Sequence, residues 1–290
     1  MKILILGSNG QLGRCLKDQF ERKNLSPVFS SRDDVDLSNR NQLSKYLKSI
    51  SPELIINAAA YTAVDKAEKD FDTANSVNHI GVKLISNFCY KQNCYLVHVS
   101  TDFVFNGDTN TLLKEEDPTN PINVYGLTKL MGENAIQSSK CNYLILRTSW
   151  VFSEYGNNFF KTMIELSKTR DELKIVSDQL GCPTYAQDIA KSIISIISHE
   201  NFDLNESGIF HYCGNEICSW YEFACLIFKE AKKRGIVVPS KISKIESSNY
   251  STLATRPSYS GLDCEKIFDK FDIKQSNWRK GVIKSIKEVI

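Results

Sequence analysis

The stretch Ile3-Leu4-Ile5-Leu6-Gly7-Ser8-Asn9-Gly10-Gln11-Leu12-Gly13 decides the fold. Lys2 to Leu6 is almost wholly apolar, as a strand buried on both faces requires. Gly7, Gly10 and Gly13 stand at i, i+3 and i+6, so the chain can turn sharply and bring backbone N–H groups close to a ligand. A helix starting at about Gln11 would then present unpaired N–H groups and the positive end of its dipole, together a site for pyrophosphate. Leu12 would lie in its first turn. The spacing is Gly-x-x-Gly-x-x-Gly, not Gly-x-Gly-x-x-Gly; the alternative meaning is an ordinary turn with spare glycines.

Outward from this unit, short apolar runs alternate with helical patterns. Pro27 to Ser30, Leu54 to Asn57, Tyr95 to Ser100 and Tyr143 to Arg147 read as further buried strands; Gln42 to Ser49 and Ala74 to Gln92 read as helices. This rhythm predicts an α/β fold with a Rossmann-type, doubly wound parallel sheet over residues 1–150. Its ligand site would lie at the carboxyl ends of the strands, where Gly7, Asn57, Ser100-Thr101-Asp102 and Thr148-Ser149-Trp150 fall. Residues 151–290 are expected to form mainly a smaller cap, with some segments returning to the first domain. There, Asn158 to Ser167, Ala186 to Ser198 and Ser219 to Lys233 read as helices and Gly208 to Tyr212 as a short strand. Ser240 to Arg256, rich in Ser, Thr and Lys, reads mainly as loop.

Chemistry is concentrated in Asn123-Val124-Tyr125-Gly126-Leu127-Thr128-Lys129. On a helix, Tyr125 and Lys129 would share one face. A cation beside a phenol favours the phenolate, so the expectation is a lowered Tyr125 able to exchange a proton with a substrate oxygen near neutral pH. Taken alone, Tyr-x-x-x-Lys also describes an ordinary solvated helix pair; the glycine turn gives it weight.

Composition excludes several classes. The 290 residues carry a formal net charge of +2, which gives no support to nucleic-acid binding. No apolar run approaches the roughly 20 residues that span a bilayer. Gly7 onward already belongs to the nucleotide turn, so the N-terminus does not read as a signal peptide. The nine cysteines lie mostly in apolar stretches without metal-ligand spacing, which fits reduced thiols in cytosol. His79, His98, His199 and His211 show no ligand spacing either and read as structural or surface residues. No metal is expected.

With these residues in view, the chain resembles the extended short-chain dehydrogenase/reductase superfamily and, more narrowly, the dTDP-4-dehydrorhamnose reductases. The likeness runs nearly end to end. It is carried by Gly10-Gln11-Leu12-Gly13, the block from Ile56 to Glu68, Ser100-Thr101-Asp102-Phe103-Val104-Phe105, Tyr125 to Lys129, Arg147 to Phe152, Asp178 to Thr184 and Arg256-Pro257. Phe103 stands where a Tyr is common. The long Asn57 to Glu68 block and the Trp150 segment point to this reductase, whereas the glycine and Tyr/Lys motifs mark only the superfamily.

The resemblance implies reduction of the C4 ketone of a dTDP-4-keto-6-deoxyhexose by a nicotinamide dinucleotide. Tyr125 would protonate the C4 oxygen, Lys129 would tune the phenol and hold the nicotinamide ribose, and Thr101 would hydrogen-bond the same oxygen. Asp102 would help to position the sugar, Trp150 would offer it a flat apolar wall, and Arg256 would reach the diphosphate or remain a surface residue. Asp36 and Leu37 would hold the adenine, and Ala60, Tyr61 and Thr62 would line the cofactor; Asp65 and Lys66 are expected to be structural. At the end of the second strand, two serines and Arg32 precede Asp33, so the 2′-phosphate of NADPH should be accepted, with NADH still usable. The opposing possibility is that Arg32 points to solvent and Asp33 takes the ribose. Another nucleotide-sugar reductase, epimerase or 4,6-dehydratase of the same superfamily is the alternative enzyme; a dehydratase usually follows the strand-end Thr with Asp-Glu, and here Phe103 takes that second place. A non-catalytic subunit resembling the regulatory beta subunit of methionine adenosyltransferase is the alternative of another class. Some family members are dimers bridged by a metal through an acidic residue on the first helix; here no carboxylate precedes Asp18 on that helix. A homodimer without that bridge is left open. A cytoplasmic location is expected, with no nucleic-acid or membrane partner.

Overall fold

The computed structural model describes residues 1–289. The chain begins with β1 (Ile3–Leu6), α1 (Gln11–Arg22), β2 (Val28–Ser30), α2 (Arg40–Ile50) and β3 (Leu54–Asn57). Two short helices follow, α3 (Val64–Ala67) and α4 (Phe71–Asn75). A π-helical turn (Ser76–Gly81) then leads into α5 (Val82–Gln92). After these come β4 (Tyr95–Thr101), α6 (Val124–Ser138) and β5 (Tyr143–Thr148). The expected helix Ala74 to Gln92 is therefore longer and interrupted. Asn78 in the π turn donates to Tyr61 O at 3.1 Å and to Thr128 Oγ1 at 3.2 Å, and accepts from Tyr61 N at 2.8 Å. Such single π turns occur often at functional sites; this one ties the Tyr61 loop to α6.

The second half contains β6 (Val151–Phe152), α7 (Phe159–Ser167), β7 (Glu172–Val176), β8 (Leu180–Gly181), β9 (Thr184–Tyr185) and α8 (Ala186–Ile197). Next are β10 (Gly208–His211), β11 (Cys218–Ser219), α9 (Trp220–Lys232), β12 (Lys241–Ile245), β13 (Tyr259–Ser260), α10 (Glu265–Phe271) and α11 (Trp278–Glu288). The segment expected to be loop, Ser240 to Arg256, contains β12, which runs parallel to β7 in full register from Lys241↔Glu172 to Ile245↔Val176. Its polar residues face water from an edge strand, so composition concealed it. α9 opens with a capping box, Ser219 with Glu222, which starts the helix where an apolar run begins.

The main sheet has six strands in the order β10-β5-β4-β3-β1-β2, all joined in parallel. Side chains alternate between its faces. Ile5, Leu54, Ile56, Tyr95, Val97, Leu144 and Leu146 enter one core layer, with α1 and α8. Leu4, Leu6, Ile55, Leu96 and Ile145 enter the other, with α2 and α5. Toward the carboxyl ends the second face turns polar while keeping the same alternation: Asn57 follows Ile55, His98 and Ser100 follow Leu96, and Arg147 follows Ile145. All four are buried, and α6 lies over them with Lys129 and Glu133 facing down. A third core layer, built around Phe152, Phe160, Phe223 and Trp278, supports the region after β6. No helix among the described residues is long and apolar enough to cross a membrane.

Candidate active site

The glycine turn folds as its spacing predicts. Gly7 has φ +84°, and a side chain there would collide with Ala59 N at 2.7 Å, so only glycine serves at this position. Gly7 N and Ser8 N both donate to Ser30 O, at 2.8 and 3.0 Å, which docks the turn on β2. Gly10 is the N-cap of α1 and brings no side chain to the first-turn N–H groups of Gln11, Leu12 and Gly13. A Ser or Asp cap would consume one of them; here they remain available to an anion. The residues present therefore fit a dinucleotide pyrophosphate. The Gln11 side chain is used elsewhere: its Oε1 accepts from Asn158 Nδ2 at 2.6 Å and from Ser153 Oγ at 3.1 Å, holding the loop before α7.

Around the expected ribose and adenine contacts, Arg32 is three-quarters exposed and pairs with Asp36 at 3.2 Å. Asp36 also accepts from Ser38 N and Oγ, at 2.9 and 2.7 Å. These bonds hold its carboxyl below the usual range against some opposing burial. Asp34 folds back onto Ser31 N and Oγ, both at 2.8 Å. Leu37 is buried. Ala60, Tyr61 and Thr62 follow β3 as an extended loop, half-buried to exposed.

At the ends of β4 and β5, Thr101 stands in register with Thr148. The Thr101 hydroxyl donates to Asp102 Oδ1 at 2.9 Å and accepts from Phe103 N at 3.2 Å. The Tyr125 phenol approaches the same hydroxyl, whose proton is already given to Asp102. α6 is brought this close because Gly126 has no side chain: a Cβ there would sit 2.1 Å from Phe103 O. The Phe103 ring meets Tyr125 edge-on, centroids 5.6 Å apart. Among the described residues, the buried side-chain polar atoms left without a hydrogen-bond partner are Asp102 Oδ2 and Thr148 Oγ1. Both belong to this edge, so it has unused capacity for a polar ligand.

One expectation needs correction. The phenol of Tyr125 is not lowered: burial pushes it above its ordinary range, opposed only by the Thr101 hydroxyl, and the charge of Asp102 adds to the rise. The Lys129 nitrogen is engaged by Val99 O at 2.7 Å and His98 Nε2 at 3.1 Å. Burial pulls Lys129 down to about 8, with Glu133 opposing. His98, expected to be structural or on the surface, is fully buried against Lys129 and Asn57. Its local sequence gave no sign of this, because the signal lies in its parity on β4 under α6.

Asp102 is buried, and this pushes its carboxyl up to about 6, with the Thr101 hydroxyl among the groups working against the rise. A carboxyl raised above its unfolded value of 3.8 favours the fold at low pH, and that contribution is lost as pH rises through about 6. Asp102→Asn should therefore resist urea better than the unmodified protein at pH 7, by up to roughly 3 kcal/mol. The difference should vanish below about pH 4. Equal urea midpoints at pH 7 would show that Asp102 ionises without cost.

Trp150 has φ +45°, a strained conformation for a non-glycine residue. Its indole stacks on that of Trp220, centroids 3.4 Å apart and planes 5° from parallel, and its edge rests where a side chain on Gly181 would clash. Trp220 continues to Phe159 at 4.6 Å. Phe159 and Trp220, with Trp150 stacked behind Trp220, border a cleft of about 940 Å³ between α7, β7, the start of α9 and residues 247–256. Phe159, Met163, Ile175, Gln179, Trp220 and Arg256 line it. That size suits a nucleotide-scale ligand. Trp220 and Phe159 were not anticipated; Trp220 sits at the first position of a capped helix, which sequence reads as an ordinary amphipathic start. Arg256 is held by Asp65 through bonds of 2.6 and 3.3 Å, and Asn123 Nδ2 donates to Thr255 O at 2.8 Å. Both contacts tie residues 255–256 to the first half of the chain.

Comparison with known proteins agrees with this geometry. The family model described as the RmlD substrate binding domain matches residues 1–290. The dTDP-4-dehydrorhamnose reductase of Aggregatibacter actinomycetemcomitans is 41% identical, with 97% of each chain covered. The crystal structure of a dTDP-4-dehydrorhamnose reductase from Clostridium acetobutylicum superposes with a TM-score of 0.90 at 38% identity, covering 100% of this chain and 99% of that one. A dTDP-4-dehydrorhamnose reductase from Bacillus anthracis in complex with NADP gives a TM-score of 0.90 at 34% identity, covering 99% and 100%. With a glycine turn, a Thr101/Tyr125 edge and full-length likeness of this degree, the chain belongs to the dTDP-4-dehydrorhamnose reductase family.

Proposed function

We propose that the protein reduces the C4 ketone of a dTDP-4-keto-6-deoxyhexose, converting dTDP-4-dehydro-L-rhamnose to dTDP-L-rhamnose. The observation that carries this reading is the close docking of the Tyr125 end of α6 on the strand end that bears Thr101, at the same sheet edge as the open glycine turn. When bound, the nicotinamide dinucleotide supplies the hydride. The first turn of α1, through Gln11 to Gly13, would hold its pyrophosphate, with Tyr61, Thr62, Asp36 and Leu37 along its length. Thr101 would orient the carbonyl oxygen, and Tyr125 would give that oxygen its proton. Asp102 Oδ2, buried and unpartnered, is available to a sugar hydroxyl. Arg256 keeps further N–H donors beyond those engaged by Asp65 and lines the cleft, as a diphosphate contact requires.

Purified protein given NADPH and the keto sugar nucleotide should consume the reduced nicotinamide. Cofactor binding without turnover would instead support the non-catalytic alternative. NADPH should bind more tightly than NADH. The exposed Arg32–Asp36 pair is weak and leaves the guanidinium free to meet a 2′-phosphate. Arg32→Ala should lose affinity for NADPH selectively, and a clear preference of the unmodified protein for NADH would sink this assignment.

Trp150→Ala should raise KM for the sugar nucleotide while leaving the NADPH dissociation constant nearly unchanged. Equal weakening of both would mark the Trp150–Trp220 stack as scaffold only. The same reading places the protein in the cytoplasm, where its nine unpaired cysteines would stay reduced. A homodimer is the assembly to test by light scattering.

A further inference from the structure

Behind Lys129 lies a row of buried polar side chains that the proton donation by Tyr125 does not use. Asn57 and His98 have no solvent exposure and Lys129 has 1%. Asn57 Oδ1 accepts from Ala59 N at 3.2 Å. An N–H must face an oxygen, so the main chain fixes which way this amide points. Asn57 Nδ2 then faces His98 Nδ1 at 3.1 Å. A donor on that side makes Nδ1 the acceptor, and a neutral imidazole with an acceptor at Nδ1 carries its proton on Nε2. His98 Nε2 lies 3.1 Å from Lys129 Nζ. An ammonium there would set donor against donor; an amine offers its lone pair to Nε2–H and still donates to Val99 O at 2.7 Å.

His211 provides the contrast within the same molecule. Its Nδ1 faces Leu113 O at 3.1 Å and must donate, so its Nε2 accepts from Arg147 Nη1 at 3.4 Å. There the tautomer suits a cation, whereas at His98 it opposes one. The other groups near Lys129 do not compensate. On α6, Glu133 is committed to Arg147 of β5 at 2.7 Å and to the Ser100 hydroxyl. The Tyr125 phenol, also on α6, is uncharged, and Asp102 beyond β4 engages Thr101. Burial lowers both His98 and Lys129, in the same direction as the hydrogen-bond geometry.

We infer that His98, oriented by Asn57, is a positioning residue that favours the neutral amine of Lys129 in the free protein, so that in mildly alkaline solution Lys129 takes a proton from bulk water when the anionic dinucleotide binds. The second half of this statement rests on the cofactor reading above, and the first does not. The test is nitrogen-15 NMR of the histidine-labelled, cofactor-free protein, in which the ring-nitrogen shifts distinguish the two neutral tautomers. At pH 9 His98 should show the Nε2–H pattern, and His211 the Nδ1–H pattern. Asn57→Asp keeps an acceptor for Ala59 N and replaces the amide donor by an acceptor, so it should move His98 to the Nδ1–H form. An Nδ1–H or imidazolium signal for His98 in the unmodified protein would overturn the proposal whether or not the variant folds. Calorimetry in buffers of differing ionisation enthalpy reads the second half. NADPH binding should take up a proton above pH 8, near where burial places Lys129, and almost none at pH 6. In Asn57→Asp that uptake should move to higher pH. Binding without uptake at pH 9 would refute the lysine half, whereas no binding at all would refute the cofactor reading and leave the tautomer result to stand.

Discussion

Tyr125→Phe should lower kcat at least about 100-fold, the usual scale for loss of a general acid, while leaving the dissociation constant for NADPH nearly unchanged. The expectation follows from position and protonation together. The phenol stands within reach of the Thr101 hydroxyl at the strand edge, and burial keeps it protonated through the neutral range. A proton donor is therefore loaded before the ketone arrives, and a lowered phenol is not needed for donation. Removing one oxygen leaves the ring, its edge contact with Phe103 and the fold of α6 in place. Single-turnover kinetics with preloaded cofactor would isolate the chemical step. A variant that reduces the keto sugar at near the unmodified rate would show that the proton comes from elsewhere.

Arg147→Met should unfold at much lower urea concentration, with a loss of about 3–5 kcal/mol, the cost of leaving a buried charge unpaired. Arg147 is 3% exposed and Glu133 fully buried, and the guanidinium meets the carboxylate through bonds of 2.7, 3.1 and 3.2 Å. Arg147 also lies over the Phe105 ring at 5.1 Å and donates to Glu115 O at 3.4 Å. The pair joins β5 to α6 directly behind the reacting edge, so its loss loosens the platform that aligns Tyr125 with Thr101. Adding Glu133→Gln to Arg147→Met should restore part of the loss, since the stranded charge is then gone. A single variant as stable as the unmodified protein would mean that Glu133 escapes to solvent or takes a proton in its place.

Much of the fold was legible because its signals are local. An apolar run, three glycines and a helix start lie within eleven consecutive residues, Ile3 to Gly13, and strand parity can be read from the next few strands. The i, i+4 pairing of Tyr125 and Lys129 on α6 is equally local. Strand β12 was missed because an edge strand carries polar residues, and helix α5 was extended through a π turn that no short window reveals.

The site was legible as a list of residues but not as a set of partners. Sequence placed Thr101, Asp102 and Tyr125 at strand ends and near a helix start. It did not show that Lys129 would bond to Val99 and His98. Nor did it show that Arg256 would be taken up by Asp65, 191 residues away, or that Trp150 would stack on Trp220. The physical reason is the same in each case. A turn or a helix face is determined by the conformational preferences of a few adjacent residues, so the sequence alone sets it. A buried cation, carboxylate or indole takes the partner that burial leaves within about 3–4 Å, and that choice exists only once the sheet has brought distant strands into register.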